Sequence, residues 1–369
     1  MKKVTLGDVC NKAGSNIAQK DLQGNEGKYP IYGAGGLIKK VDFYQQELPY
    51  IAVVKDGAGI GRTMLLPGHS SVIGTVQYIL PINRETVDLK YLYYAIVHMN
   101  LSKYFSGATI PHIYFKDYKK EPLRLPELEK QREIASVFQR IDELIAKREQ
   151  QLKELDGLVK SRFIEMFGDP DVNNKGWNIY RMEQLCEVGS SKRIYQNEQS
   201  IRGIPFLRVS DLVNRIDTGS KECDLYISRE RFEKLKEQGL TPASGDILLT
   251  ARGTLGRCYI IQDGDEFYFQ DGMITWLSKF DTKITPLYIT YLFEMSGFRK
   301  QIVSLQSGSI VAYLSISMTK KLDVMVPPIE LQNQFADFVA QTDKSKLAVQ
   351  KSLDELETLK KSLMQEYFG

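Results

Sequence analysis

Few side chains in this 369-residue sequence stand at spacings that could do chemistry. The run Gly57-Ala58-Gly59-Ile60-Gly61-Arg62-Thr63 comes nearest to a phosphate-cradling loop. Such a loop needs a glycine five residues before a Gly-Lys pair, so that backbone N–H groups and the lysine close on the phosphates. Asp56 occupies that place and Arg62 replaces the lysine, so the run reads as a turn. Tyr32-Gly33-Ala34-Gly35-Gly36 lacks the third glycine and the strand–helix setting of a dinucleotide fingerprint. Val326-Pro327-Pro328-Ile329 lacks both the polar residue that would bond a target amine and the aromatic that would stack on a base, so it reads as the start of a helix. His69, His98 and His112 fall in no metal-ligand spacing, and Cys10, Cys186, Cys223 and Cys258 form no C-x-x-C pair. These cysteines read as reduced thiols. Asp171 and Lys175 near Pro170 have nuclease-like chemistry but lie in a linker-like run. No nucleophile, base and oxyanion site assembles. The chain reads as non-catalytic.

The elements that position these residues occur twice, and repetition governs the fold. At a shift of 201, Ser106-Gly107 meets Ser307-Gly308, Lys119-Lys120 meets Lys320-Lys321, and Pro126 meets Pro327. Glu129/Glu330, Gln131/Gln332, Ala135/Ala336, Asp142/Asp343, Glu154-Leu155/Glu355-Leu356, Lys160-Ser161/Lys361-Ser362 and Phe167-Gly168/Phe368-Gly369 follow without a gap. About one position in four matches across this stretch, against about one in twenty by chance. Upstream the shift changes: Val4-x-Leu6-x-x-Val9-Cys10 aligns with Tyr180-x-Met182-x-x-Leu185-Cys186 at 176, and Gly61-Arg62 with Gly256-Arg257 at 195. The second copy has therefore gained about 25 residues, mostly between Cys186 and Gly256. Such insertions are a property of loops, not of packed helices.

The length-preserved part has helical periodicity. Over Leu128–Phe167, apolar residues fall at spacings of three and four: Ile134, Val137, Phe138, Ile141, Leu144, Ile145, Leu152, Leu155, Leu158, Val159 and Phe163. The second copy continues the pattern with Phe335, Phe338, Val339, Val349, Leu353, Leu356, Leu359 and Leu363. A helix of about 40 residues, some 60 Å long, with one apolar stripe needs a partner. The economical partner is the other copy, in a coiled coil. The seam is expected at Ile134, Phe138, Ile141, Ile145, Leu152, Leu155, Phe335, Val339, Val349, Leu353 and Leu356. The variable parts read as mixed α/β globules, with strands near Leu48–Val54 and Gly245–Thr250 and short helices at Leu89–Met99 and Pro286–Phe298.

Composition sets bounds. Hydrophobic residues at 43% and charged residues at 26% exclude wholesale disorder. No uncharged apolar run reaches the roughly 18 residues of a membrane helix. Asp8 interrupts the stretch where a signal peptide would need its core. A net charge of +3 argues weakly against a nucleic-acid binder, but a whole-chain sum conceals local patches.

The order of globule, long helix ending Ser161-Arg162-Phe163-Ile164-Glu165-Met166-Phe167-Gly168-Asp169-Pro170, linker to Lys175-Gly176-Trp177, second globule and second long helix ending Phe368-Gly369 resembles a Type I restriction–modification specificity (S) subunit. That resemblance implies an α+β fold in which two related mixed α/β target-recognition domains are joined by two long antiparallel helices. It assigns 1–125 and 178–326 to the recognition domains, 126–168 and 327–369 to the spacer helices, and 169–177 to the linker. Each domain would read one half of a split, asymmetric site in double-stranded DNA. The helices would set the gap and dock two methyltransferase subunits, and endonuclease/translocase subunits could join. The chain itself would need no cofactor; S-adenosylmethionine, ATP and Mg are expected on the partner subunits. The expected location is the bacterial or archaeal cytoplasm. Candidate DNA contacts are Arg62, His112, Tyr114, Lys116, Lys119 and Lys120 in the first domain. In the second they are Lys192, Arg193, Tyr195, Arg208, Arg252 and Arg257. A reading from another class is a non-catalytic coiled-coil scaffold whose globules bind proteins.

Overall fold

The computed structural model describes residues 2–107, 111–306 and 312–369, so the Ser307-Gly308 part of the repeat lies outside the described residues. The chain divides into two compact units, Met1–Gln151 with Val349–Gly369, and Leu152–Ala348. The division passes through both long helices, Leu128–Phe167 and Ile329–Phe368. Each unit therefore holds the start of one long helix and the end of the other.

Each unit is built on the same four-stranded antiparallel sheet. In the first unit the spatial order is Cys10–Gly14, Val76–Pro81, Tyr50–Val54 and Thr63–Leu66. In the second it is Glu187–Gly189, Ile274–Ser278, Ile247–Thr250 and Cys258–Ile260. Tyr50–Val54 and Ile247–Thr250 are buried along their whole length, as the apolar runs in these segments require. A two-stranded ribbon leads into each long helix: Lys2–Thr5 with Pro122–Leu125, and Asn178–Arg181 with Asp323–Val326. A smaller sheet flanks each main one and ends in a parallel pair. The pair is Tyr29–Gly33 with Ser71–Val72 in the first unit and Ile204–Leu207 with Tyr268–Phe269 in the second. The extra residues of the second copy form two helices, Val209–Thr218 and Arg229–Glu237, where the first copy has a short hairpin. The expected helix Leu89–Met99 is present with those bounds. Pro286–Phe298 is two helices, Pro286–Glu294 and Ser296–Ser304, separated at Met295, whose φ/ψ of −71/135 is extended.

A buried glutamine fastens each long helix to its globule. Gln131 is 0% exposed; its side-chain oxygen accepts from Asp88 N at 2.9 Å. Its amide donates to Thr86 O at 2.9 Å and Pro126 O at 2.8 Å. Gln332 repeats the arrangement with Thr285 N at 2.8 Å and with Lys283 O and Pro327 O, both at 2.9 Å. Asp88 and Thr285 are the N-caps of the globule helices, accepting from Tyr91 N and Tyr288 N. The tyrosine hydroxyls then donate to the ribbon carbonyls Arg124 O at 2.6 Å and Met325 O at 2.9 Å.

The helix ends close the cores. In the second unit Phe167 packs on Tyr288 and Phe335 with ring centroids 5.0 and 5.3 Å apart. In the first, Phe368 packs on Tyr91 and Phe138 at 5.2 and 5.7 Å. Gly168 ends its helix at φ +83, and Trp177 Nε1 donates to Phe167 O at 2.8 Å. Within each unit the two helical segments run antiparallel: Phe138 meets Tyr367 and Phe368 while Asp142 pairs with Lys360 at 2.6 Å. In the other unit Asp156 pairs with Lys346 at 2.7 Å while Phe163 meets Phe335 at 5.5 Å.

Of the expected seam residues, Ile134, Phe138, Ile141, Phe335, Val339 and Leu353 are buried, and Ile145, Leu152, Leu155, Val349 and Leu356 are half-buried. Val137, Leu144 and Leu158, which share the helical stripe, are instead exposed, because only one narrow seam of each helix faces its partner. Cys10 and Cys186 are buried free thiols that burial pushes up to about 12, which makes them unreactive. Among the described residues no helix is long and apolar enough to cross a membrane.

Replacing Gln131 or Gln332 by leucine keeps most of the volume but orphans three buried backbone groups. Each change is expected to lower the unfolding free energy by about 3 kcal/mol, read by urea denaturation.

Candidate nucleic-acid interface

Eleven of the twelve candidate contact residues lie outside the helices and strands; Lys116 is in the short helix Phe115–Tyr118. In the first unit, the turn after Tyr50–Val54 is closed by Gly61 N to Val54 O and Val54 N to Arg62 O, both 2.9 Å. Gly61 has φ +79 and Ser102 N would lie 2.5 Å from an added Cβ, so only glycine fits. Arg62 is exposed and its Nη1 donates to Ala34 O at 3.0 Å, which brings the Gly33–Gly36 turn alongside. Asp56 N bonds Thr75 O, and Asp56 forms an isolated antiparallel bridge with His112. The Asp56 carboxylate contacts His112 Nδ1, the His112 ring lies 4.1 Å from that of Tyr114, and Lys116 Nζ sits 5.1 Å over Tyr114. Arg62, His112, Tyr114 and Lys116 thus belong to one loop edge.

Lys119 and Lys120 do not. They precede the strand Pro122–Leu125, and Lys119 O accepts from Gly7 N in the short helix before Cys10–Gly14. That is the opposite end of this strand from Gly14, which faces the start of Val76–Pro81. Their recurrence as Lys320-Lys321 follows the ribbon, with Arg181 Nη1 donating to Lys321 O at 2.8 Å.

The second unit has the equivalent edge. Gly256 N to Thr250 O and Thr250 N to Arg257 O, 3.0 and 2.9 Å, close the turn after Ile247–Thr250. Neighbouring backbone bonds join it to the other loops: Ala251 N to Met273 O and Gln270 N to Leu207 O, both 2.9 Å. Arg193 then reaches Asp271 at 3.0 Å. Arg193, Arg208, Arg252 and Arg257 accordingly lie on adjoining loops, while the Lys192 N–H donates to the Tyr268 hydroxyl and Tyr195 is exposed.

Most of these arginines are already paired. Arg208 Nε bonds Asp211 at 3.0 Å and its Nη2 bonds Asp224 at 3.1 Å; these bonds hold its guanidinium pKa above the usual range. Arg257 contacts Asp217. Arg252 forms the isolated bridge with Tyr313 and stacks over that ring at 4.9 Å.

Sequence reasoning missed Asp56 and Tyr313. Asp56 was the residue that broke the phosphate-loop pattern, and a shift of 196 instead of 195 would have set it opposite Arg252. It also missed the carboxylates that hold the arginines, which come from the inserted helix and from loops far away in sequence. Among the described residues no group of three or more His, Cys, Asp or Glu side chains could hold a metal.

One arginine near this edge is structural. Arg215 is 6% exposed, sits 4.7 Å over the Phe267 ring and lies 3.5 Å from the buried carboxylate of Asp265. Arg215→Met would leave Asp265 with only the exposed Lys221 as counter-charge. The change is expected to cost about 3 kcal/mol in denaturant titration, because a buried charge left with only an exposed, solvent-screened partner outweighs the gain in apolar contact.

Comparison with known proteins places the geometry. Residues 1–156 and 174–358 match the family model for the Type I restriction modification DNA specificity domain. Over 97% of its length the chain is 25% identical to a putative type I restriction enzyme specificity subunit of Haemophilus influenzae, spanning 88% of that protein. It is 22% identical to the specificity subunit of the type I restriction enzyme MjaVIII of Methanocaldococcus jannaschii, over 85% of this chain and 77% of that one. Its fold is similar to the crystal structure of the S subunit of a Type I restriction–modification system from M. genitalium. That likeness has a TM-score of 0.61 at 16% identity and covers 100% of this chain and 96% of the other.

Proposed function

The chain belongs to the Type I restriction modification DNA specificity family, and from that premise we propose that each of its two units reads one half of a bipartite, asymmetric DNA site. It is a DNA specificity subunit and leaves the chemistry of restriction and modification to other subunits of the complex. The observation that carries the two-half reading is the repeated loop edge. One backbone frame is built twice, with Arg62, His112 and Tyr114 on one copy and Arg193, Arg208 and Arg252 on the other. Related frames with different side chains suit two different half-sites.

In this reading lysines and arginines at the edge neutralise phosphates and set register, while a few oriented groups read base edges in the major groove. The long helices, unbroken over 40 residues each, act as the spacer and as the docking surface for two methyltransferase subunits. Those subunits would bring S-adenosylmethionine. Endonuclease/translocase subunits would bring ATP and Mg, and the complex would act in the cytoplasm.

Co-expression with the methyltransferase partner, followed by mapping of modified bases, should return adenine methylation at a bipartite motif with a fixed gap. Methylation at one uninterrupted palindrome would overturn the reading. Lengthening both helices together by one heptad, which keeps the seam in register, should alter the gap and leave both half-motifs unchanged. A constant gap would rule out the spacer role.

A further inference from the structure

An isolated bridge stands at the same place in the frame of each loop edge; in the first unit His112 also bridges Ser106. In the first, Ile113 N donates to Lys55 O at 3.0 Å and the bridge pairs Asp56 with His112. In the second, Leu314 N donates to Ala251 O at 3.0 Å and the bridge pairs Arg252 with Tyr313. The backbone is the same and the side-chain chemistry is reversed. We propose that this bridge is the base-reading position of each unit, with Arg252 donating to guanine O6 and N7 and Asp56 accepting from the cytosine N4 amine. The inference rests on the DNA-specificity reading above.

Arg252 is set apart by what it lacks. Of the four candidate arginines of the second unit, Arg193, Arg208 and Arg257 each contact a carboxylate. Arg252 has no such partner among the described residues. A paired guanidinium must surrender its partner before it can fork onto a base; Arg252 need not. It is exposed, and stacking on Tyr313 holds the guanidinium plane while leaving its N–H edge available. Bidentate donation to guanine is the contact this geometry serves best.

Asp56 makes the complementary case. A carboxylate beside Lys55 gains nothing from phosphates, which repel it. Held by His112, it presents an oriented acceptor, and the cytosine amine is the major-groove donor that an aspartate reads. Both side chains lie two residues beyond the ends of fully buried central strands, Tyr50–Val54 and Ile247–Thr250, which anchor the backbone that carries them.

The test uses the full chain co-expressed with its methyltransferase partner, with modified bases mapped for wild type, Arg252→Lys and Asp56→Asn. Arg252→Lys keeps the charge and loses the fork. It should relax one G·C position of one half-motif by roughly 5- to 150-fold in discrimination, with the other half-motif unchanged. Asp56→Asn should change one position of the other half-motif only. A wild-type map without a bipartite motif would overturn the DNA-specificity reading together with this inference. A bipartite wild-type motif that both variants leave unaltered would overturn the inference alone. So would a uniform loss of methylation at all sites by a variant that melts like wild type, since that is the signature of a phosphate contact.

Discussion

One side chain in each unit carries the architecture: the buried glutamine at the fourth position of the long helix. An amide has one acceptor group and two donor hydrogens, and Gln131 and Gln332 spend all three on backbone groups from different segments. The groups are the N-cap of the globule helix, the carbonyl two residues before that cap, and the proline carbonyl that precedes the long helix. No apolar or charged residue of similar size satisfies two carbonyls and one N–H without water. The globule helix is thereby fixed to the long helix, its tyrosine to the ribbon, and the ribbon to the main sheet. The loop edges inherit their positions from that chain of bonds.

The hydrophobic contribution is distributed differently. Each globule closes only when the end of the other copy's long helix arrives: Phe167 in one core and Phe368 in the other. Each core is therefore assembled from residues far apart in sequence, from Leu6 to Met364 in the first unit and from Val159 to Val339 in the second. The glutamine gives direction and the phenylalanine gives burial. Both recur at a shift of 201 because neither position tolerates a change of register.

This explains what was legible in the sequence. Glu-x-Gln and Phe-Gly repeat because packing constrains them, and the repeat located the helices, the globules and the insertion. Lys119-Lys120 also repeats, and in the structure the pair sits beside the ribbon, away from the loop edge. The stripe overcounted the seam because a 3.6-residue period admits Val137, Leu144 and Leu158, whereas a two-helix contact buries fewer positions. The loops hid their logic. Whether an arginine is free depends on carboxylates such as Asp217 for Arg257 and Asp271 for Arg193, 40 and 78 residues away, and periodicity carries no trace of such pairs.

The net charge of +3 finds its meaning at the same edge. In the second unit the arginines there are matched by Asp211, Asp217, Asp224 and Asp271. A surface of free cations would bind any phosphate backbone with a steep dependence on salt. Cations held by carboxylates contribute less to that indiscriminate term and have defined orientations. The bridge hydrogen bonds, in turn, use only backbone atoms, so Asp56·His112 and Arg252·Tyr313 occupy the same frame at no cost to the sheet beneath. Stability resides in glutamine, phenylalanine and buried strands, and the proposed recognition resides in side chains that those elements position but do not depend on. If each unit reads one half-site as proposed, a substitution at one loop edge changes one half of the target while the other half, and the fold, stay as they were.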